Sequence, residues 1–201
     1  MFTGLVETVG TVARIERRGV DATIRIACTY DHYEHGESIA VDGCCLSVTA
    51  SGKGWFSAEA SAETLRLTAL GDRASGDPVH LERAMTPDRR LGGHLVTGHV
   101  DGVGRVVSQE KLGEALEVTF EVPLALAPFV APKGSIAIDG VSLTVNRVAD
   151  AAAGCEFSVN LIPHTVAQTT LRRLVRGAHV NLEIDTIARY VERMLAAGRA
   201  R

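Results

Sequence analysis

Apolar and polar residues alternate one for one along much of this chain. Ile24, Ile26 and Cys28 alternate with Thr23, Arg25 and Ala27, and Leu116, Val118, Phe120 and Val122 alternate with Glu117, Thr119 and Glu121. A period of two gives a half-buried strand one apolar and one polar face. Short runs of this kind, bounded by Gly, Asp and Pro, recur throughout, which predicts about six short strands in each half of the chain. Two short helical breaks are expected, one around residues 64–70 and closed by Gly71, the other around residues 123–129. After Asp185 the period changes: Ile187, Tyr190, Val191, Met194 and Leu195 fall at helical spacing, with Gly198 placed to stop the helix.

The second half is a reworked copy of the first. Thr3-Gly4-Leu5-Val6-Glu7 returns as Thr97-Gly98-His99-Val100-Asp101, and Val41-Asp42-Gly43-Cys44-Cys45-Leu46-Ser47-Val48 as Ile138-Asp139-Gly140-Val141-Ser142-Leu143-Thr144-Val145. Residues 64–82 match residues 165–183 without a gap, sharing Gly76/Gly177, Val79/Val180, Leu81/Leu182 and Glu82/Glu183 among others. A repeat this long makes each copy a small domain with its own core. The expectation is an all-β chain of two similar six-stranded antiparallel Greek-key barrels in tandem plus a C-terminal α-helix. Residues 1–88 would form the first barrel, 89–185 the second and 186–201 the helix, with the breaker-rich stretch 86–93 as linker. The helix has no counterpart after the first copy and has two uses, packing on its own barrel or on a neighbouring subunit.

Composition narrows the class. Aromatic residues make up only 4% of the chain, which predicts cores of Val, Ile, Leu and Ala. A net charge of -3 gives no reason to expect nucleic acid or an anionic membrane as partner. No run approaches the roughly 18 apolar residues of a membrane span, and the start lacks a charged and then apolar leader, so a cytoplasmic location is expected. The four cysteines, Cys28, Cys44, Cys45 and Cys155, show no CxxC or disulfide-framework spacing and are expected as reduced thiols.

Strand parity sorts the paired cysteines. Cys44, Leu46 and Val48 share one face and Cys45, Ser47 and Thr49 the other; the second copy divides Val141, Leu143 and Val145 from Ser142, Thr144 and Asn146. Cys44 therefore reads as core. Cys45 aligns with Ser142 on a polar face, either as a small buried hydrophobe or as part of a ligand-binding wall. Asp42-Gly43 and Asp139-Gly140 are turn signals. His94 and His99 lack a third ligand at any standard zinc spacing, and the glycines around them follow neither GxGxxG nor a P-loop. His99 aligns with Leu5, so one copy carries a titratable group where the other is apolar; with an unperturbed pKa near 6.5 it could move protons, or be structural.

Together the start Met1-Phe2-Thr3-Gly4-Leu5-Val6-Glu7, the Gly43–Val48 strand, the run from Gly92 to Gly102, Lys133-Gly134 with Ile138–Val145, and Leu161-Ile162-Pro163-His164-Thr165 resemble the riboflavin synthases of the alpha-chain type, in order over nearly the whole chain. The resemblance implies two six-stranded barrels, a homotrimer joined through the C-terminal helix, and an active site between the N-terminal barrel of one subunit and the C-terminal barrel of its neighbour. It implies conversion of two molecules of 6,7-dimethyl-8-ribityllumazine into riboflavin and 5-amino-6-ribitylaminouracil by transfer of a four-carbon unit. No cofactor and no metal is implied, since the substrate is both donor and acceptor. Whether the protein associates with lumazine synthase, the lumazine-forming enzyme, the sequence leaves open.

By position, the resemblance implies first-barrel substrate contacts at Gly4, Leu5 and Val6, at Cys45, Leu46 and Ser47, and at Glu59, Ala60, Ser61, Ala62, Glu63 and Thr64. Second-barrel contacts would be Gly98, His99 and Val100, then Lys133, then Ser142, Leu143 and Thr144, and Asn160, Leu161, Ile162, Pro163, His164 and Thr165. His99 is assigned to proton transfer, Cys45 and Ser142 to nucleophile or proton-relay duty, and Asp139, Thr144 and Lys133 to positioning and charge stabilisation. The chain departs from the family pattern at His80, where Asn is usual although Asn181 is kept, and at Ala69, Ser47 and Arg172. By parity His80 faces outward from its strand. Rival readings are a lumazine- or flavin-holding antenna protein of the same architecture, and the flavin-binding barrel of a reductase, which predicts a nicotinamide domain for which the chain has no room.

Overall fold

A computed structural model of the chain describes residues 1–34 and 36–199. The first copy supplies β1 (Thr8–Arg18), β2 (Asp21–Ala27), β3 (Ser38–Val41), β4 (Cys44–Gly52), β5 (Trp55–Ala60) and β6 (Pro78–Arg83). The second supplies β7 (Gly102–Leu112), β8 (Ala115–Pro123), β9 (Ser135–Ile138), β10 (Val141–Ala151), β11 (Gly154–Leu161) and β12 (His179–Ile184). Each set closes into an antiparallel barrel with the Greek-key order β1-β2-β5-β4-β3-β6, repeated as β7-β8-β11-β10-β9-β12. Closure leaves no open sheet edge. Bulges bend the strands at matching places, at Val12/Arg14 and Val48/Ala50 in the first barrel and at Val106/Ser108 and Val145/Arg147 in the second.

The alternating residues behave as their period requires: Ile24, Ile26, Val118, Phe120 and Val122 are buried. The aliphatic cores are nevertheless centred on aromatics. Phe56 fills the first barrel, and Phe120 and Phe157 stack at 5.5 Å in the second. Four of the five phenylalanines, Phe2 included, are completely buried, so a low aromatic count says nothing about where the few aromatics go. Burial of one such ring contributes roughly 1.5–3 kcal/mol. With both interiors filled by side chains, a ligand has to sit on an outer wall.

Short helices α1 (Ala62–Leu67) and α2 (Pro163–Gln168) follow the fifth strand of each copy. Ser61 caps α1, its Oγ accepting from the Thr64 N–H at 3.2 Å, and Pro163 opens α2. α1 stops at Leu67 because Thr68 turns to extended geometry and its hydroxyl donates to the Thr64 carbonyl; Gly71, expected to close the helix, lies in a separate 3-10 turn at Ala69–Asp72. The break expected around residues 123–129 is only a 3-10 turn, Ala127–Phe129, and α2 is the true counterpart of α1. Pro132 has no N–H to donate to the Pro128 carbonyl, which stops an α-turn there. The C-terminal helix α3 (Thr186–Arg199) runs through Gly198 rather than ending at it. It lies against the Ala127–Phe129 turn, and Arg189 pairs with Asp101, but Ile187, Tyr190, Val191, Met194 and Leu195 remain exposed. No helix among the described residues is long and apolar enough to cross a membrane.

The barrels meet across a pseudo-twofold seam. At its centre the Asp42-Gly43 and Asp139-Gly140 turns, with φ of 45° and 78° and of 46° and 78°, abut so closely that a Cβ on Gly43 would lie 2.7 Å from the Gly140 nitrogen. These glycines are fixed by the close approach as much as by the turn. Asn181 bridges the seam one way, donating to the Asp42 carbonyl at 2.7 Å and accepting from the Ala69 N–H at 2.6 Å. His80 bridges it the other way, with Nδ1 2.9 Å from the Asp139 carbonyl and Nε2 accepting from the Thr170 N–H at 2.9 Å. The outward-facing position expected for His80 is therefore one of the most buried places in the chain, 2% exposed, because the outside of one barrel is covered by the other.

Candidate active site

Each barrel carries its polar β-strand face outward, and each is roofed by a strip from the other half. The residues before β1 run not over their own barrel but over the second: the Gly4 carbonyl accepts from the Ser142 N–H at 2.8 Å, and Val6 packs against the second barrel's core. Reciprocally, the Gly98 carbonyl accepts from the Cys45 N–H at 2.8 Å and Val100 packs against the first barrel's core. The two strips pair with each other where they cross, Phe2 N–H donating to the Val96 carbonyl at 2.7 Å and Val96 N–H to the Phe2 carbonyl at 3.2 Å. Both glycines have positive φ, and a Cβ would collide with the strand beneath, 2.5 Å from the Ser142 Cβ at Gly4 and 2.6 Å from the Cys45 Cβ at Gly98.

This exchange corrects the expected grouping. Gly4, Leu5 and Val6 belong with Ser142, and Gly98, His99 and Val100 with Cys45. Within a copy the strips adjoin their own β-strands in sequence, so sequence order suggests the wrong partner.

On the first barrel Cys45 and Ser47 on β4 and Glu59 on β5 share the outer face, with Cys45 packed beside Phe2, Ala40 and Val96. Glu59, Ala60 and Ser61 line a cleft of about 390 Å³ with Arg18, Asp21 and Thr23, and Ala62, Glu63 and Thr64 continue into the first turn of α1. Cys45 is half-buried; its neighbour Cys44 points inward, where burial pushes the thiol up to about 12, so it stays protonated. His99 is exposed at this pocket, its N–H donating to the Thr97 hydroxyl at 3.3 Å.

The corresponding face of the second barrel carries Ser142 and Thr144 on β10, the Lys133 turn, whose N–H donates to the Val145 carbonyl at 2.7 Å, and the end of β11 with α2: Asn160, Ile162, Pro163, His164 and Thr165. Leu46, Ala60, Leu143 and Leu161 are turned into the cores by strand alternation and could meet a ligand only through their backbone. Asp139 is not in either pocket. It is 2% exposed in the seam, where its carboxylate accepts from the Asn181 N–H at 2.7 Å. Burial, then the neighbouring Asp42 charge, hold its carboxyl well above the usual range. Asp42 has Arg73 at 2.7 Å, whereas the position matching Arg73 in the second copy is Leu174.

His94, whose spacing raised only a metal-ligand role, belongs beside Ser142. Its Nδ1 lies 2.7 Å from the Ser142 Oγ, and its Nε2 is buried with no partner among the described residues. Desolvation lowers its pKa below 6.5, with the carboxylates of Asp185 and Glu183 opposing, which favours the neutral ring. An imidazole hydrogen-bonded to a hydroxyl is chemically able to take its proton. The signal that could have found it is its place three residues ahead of the repeated Thr97-Gly98 block. Glu82 and Glu183 also escaped assignment, although both are buried and kept in both copies.

Two matching outer polar faces, one on each closed barrel, define a tandem-repeat double-barrel protein. The lumazine binding domain model matches residues 3–84 and again 97–185, and the chain belongs to that family. It is 41% identical to a riboflavin synthase of Photobacterium phosphoreum, covering 97% of this chain and 89% of that one. It is 43% identical to the riboflavin synthase of Brucella abortus (96% and 98%) and 44% identical to that of Mycobacterium bovis (97% and 98%). Likeness of this extent places the chain among enzymes of the transferase class. Among solved structures, LumP complexed with 6,7-dimethyl-8-(1'-D-ribityl) lumazine superposes with a TM-score of 0.80 at 23% identity, and LumP complexed with riboflavin with 0.82 at 24%. Each covers 92% of this chain and 99% of its own, and shares the fold.

Proposed function

We infer that this protein makes riboflavin, taking two molecules of 6,7-dimethyl-8-ribityllumazine and moving a four-carbon unit from one to the other, with 5-amino-6-ribitylaminouracil as second product. The observation that carries the reading is the pair of equivalent pockets with unequal chemistry: a thiol, Cys45, in one, and an imidazole–hydroxyl pair, His94 and Ser142, at the corresponding place in the other. Two like pockets suit two copies of one heterocycle; unlike walls suit a donor and an acceptor.

The reaction needs a proton removed from the acidified C7 methyl group of one lumazine and a nucleophile added at C7 of the other, before carbon–carbon bonds form. His94 accepts the proton through Ser142, and Cys45 serves as nucleophile or relay at the other ring. Thr144, Lys133 and His99 hold and orient the ligands at the pocket rims. Because both pockets are open outer walls, a second subunit completes them: the first barrel of one chain faces the second barrel of another. The homotrimer is held by α3, whose apolar face is exposed on the single chain. The work is done in the cytoplasm.

A turnover assay on the purified protein with the lumazine alone tests the reading. Riboflavin absorbance should appear with one ribitylaminouracil released per flavin, and native mass spectrometry of the same sample should give a trimer. Stoichiometric binding without conversion would overturn it in favour of a lumazine- or flavin-holding antenna.

A further inference from the structure

Two buried glutamates hold the exchanged strips. The Glu183 carboxylate accepts from the Thr97 N–H at 2.6 Å and hydroxyl at 2.7 Å through Oε1, and from the Gly98 N–H at 2.9 Å through Oε2. Glu82 does the same for the other strip, accepting from the Thr3 N–H at 2.6 Å, the Thr3 hydroxyl at 2.7 Å and the Gly4 N–H at 2.9 Å. Both side chains are almost fully buried, at 3% for Glu82 and 2% for Glu183. A carboxylate has only acceptors, so three donors fix its two oxygens and it fixes them. Each glutamate stands on the last strand of its own barrel, yet the strip it holds lines the pocket of the other.

We propose that Glu183 is a positioning residue for the Cys45 pocket of the first barrel and Glu82 for the Ser142 pocket of the second, each acting across the seam through the Thr-Gly pair it clamps. Glu183 sets where the Gly98 carbonyl meets the Cys45 N–H, and with it the placement of His99 and Val100 over β4. Glu82 sets the Gly4 carbonyl against Ser142 and the placement of Leu5 and Val6 over β10. Glutamine keeps the shape but turns an NH2 group toward a backbone N–H, so Glu183→Gln loosens one edge of its clamp and leaves the rest of the barrel intact.

The affinity test rests on the lumazine reading above. In the full chain, Thr144→Trp blocks the second pocket and Ser47→Trp the first, leaving one site open for fluorescence titration with 6,7-dimethyl-8-ribityllumazine. With the first pocket open, Glu183→Gln should weaken binding on the order of tenfold, while Glu82→Gln changes it by less than about twofold. With the second pocket open the order reverses. A glutamate that acts on its own barrel's pocket, or on both pockets alike, overturns the proposal, as does no effect from either. If either glutamine variant fails to fold, Thr97→Val and Thr3→Val remove only the hydroxyl arm of each clamp and should give the same crossed pattern.

A ligand-free arm separates this from the identity of the substrate. Alkylation of Cys45, followed by peptide mass mapping, should accelerate in Glu183→Gln and not in Glu82→Gln, since only the first loosens the strip above that thiol. Unsubstituted protein that binds no lumazine would sink the functional reading; equal alkylation rates in the two variants would sink the positioning.

Discussion

Nδ1 of His94 stands 2.7 Å from Oγ of Ser142, at the strand position where the first copy carries the thiol of Cys45. His94→Ala or Ser142→Ala should each lower kcat by about 10²-fold or more, and the double variant by little beyond either, because the two act as one unit. A histidine that must be neutral to work, with its pKa depressed by burial, loses function as pH falls through that depressed value. The acid limb of kcat/KM should therefore lie below pH 6.5. A limb above 6.5, or strictly multiplicative losses in the double variant, would remove His94 from the role.

Asp139 offers a test in stability. Its folded-state pKa is raised by burial and by Asp42, so the native state holds a proton that the unfolded chain has already released, and stability falls as pH rises from the unfolded value toward the folded one. Asp139→Asn keeps an acceptor for the Asn181 N–H and has no proton to lose. Its denaturation midpoint should gain on the parent as pH rises, with the slope of about one proton, and level off above the native pKa. Parallel curves for the two proteins from pH 5 to pH 8 would show that Asp139 ionises freely in the seam.

His80 and Asn181 do one job from opposite sides. His80→Asn keeps a donor and an acceptor at the seam and should hold stability nearly constant. His80→Leu leaves the Asp139 carbonyl and the Thr170 N–H without partners and should cost about 2–4 kcal/mol. Urea denaturation of the two variants decides it: equal losses would mean that the ring's packing, not its two hydrogen bonds, matters.

The amphipathic helix α3 exposes Tyr190 at 64% and Met194 at 66% on one face. Tyr190→Glu with Met194→Glu should convert the proposed trimer to monomers with both barrels folded, as read by light scattering and far-ultraviolet circular dichroism. Turnover should fall with the assembly. A trimer that survives both charges would place the contact elsewhere.

The backbone period explains what was legible in advance. Cys44 inward and Cys45 outward, Val141 inward and Ser142 outward, and the closure of each copy into a barrel all follow from a repeat of two residues and from turn chemistry at Asp-Gly. What the period cannot carry is the partner on the far side. Parity puts His80 outside its barrel but does not say that Thr170 and the Asp139 carbonyl cover it. Sequence neighbourhood assigns Gly4 to the first pocket, yet its carbonyl bonds to Ser142, a contact made only when two finished barrels dock. His94 was hidden for a related reason: its partner Ser142 lies 48 residues away, and only the fold brings the two together.

That reciprocity reaches back to the origin of the chain. A lone half would own a polar wall and a strip, but the strip would fit only a twin's wall, so the smallest unit with both walls strapped is a pair of halves embracing each other. Such a pair is bound by symmetry to change both cavities whenever it changes one. Joining the halves into one polypeptide lifted that bond, and Cys45 on one side with Ser142 and His94 on the other is the divergence it allowed.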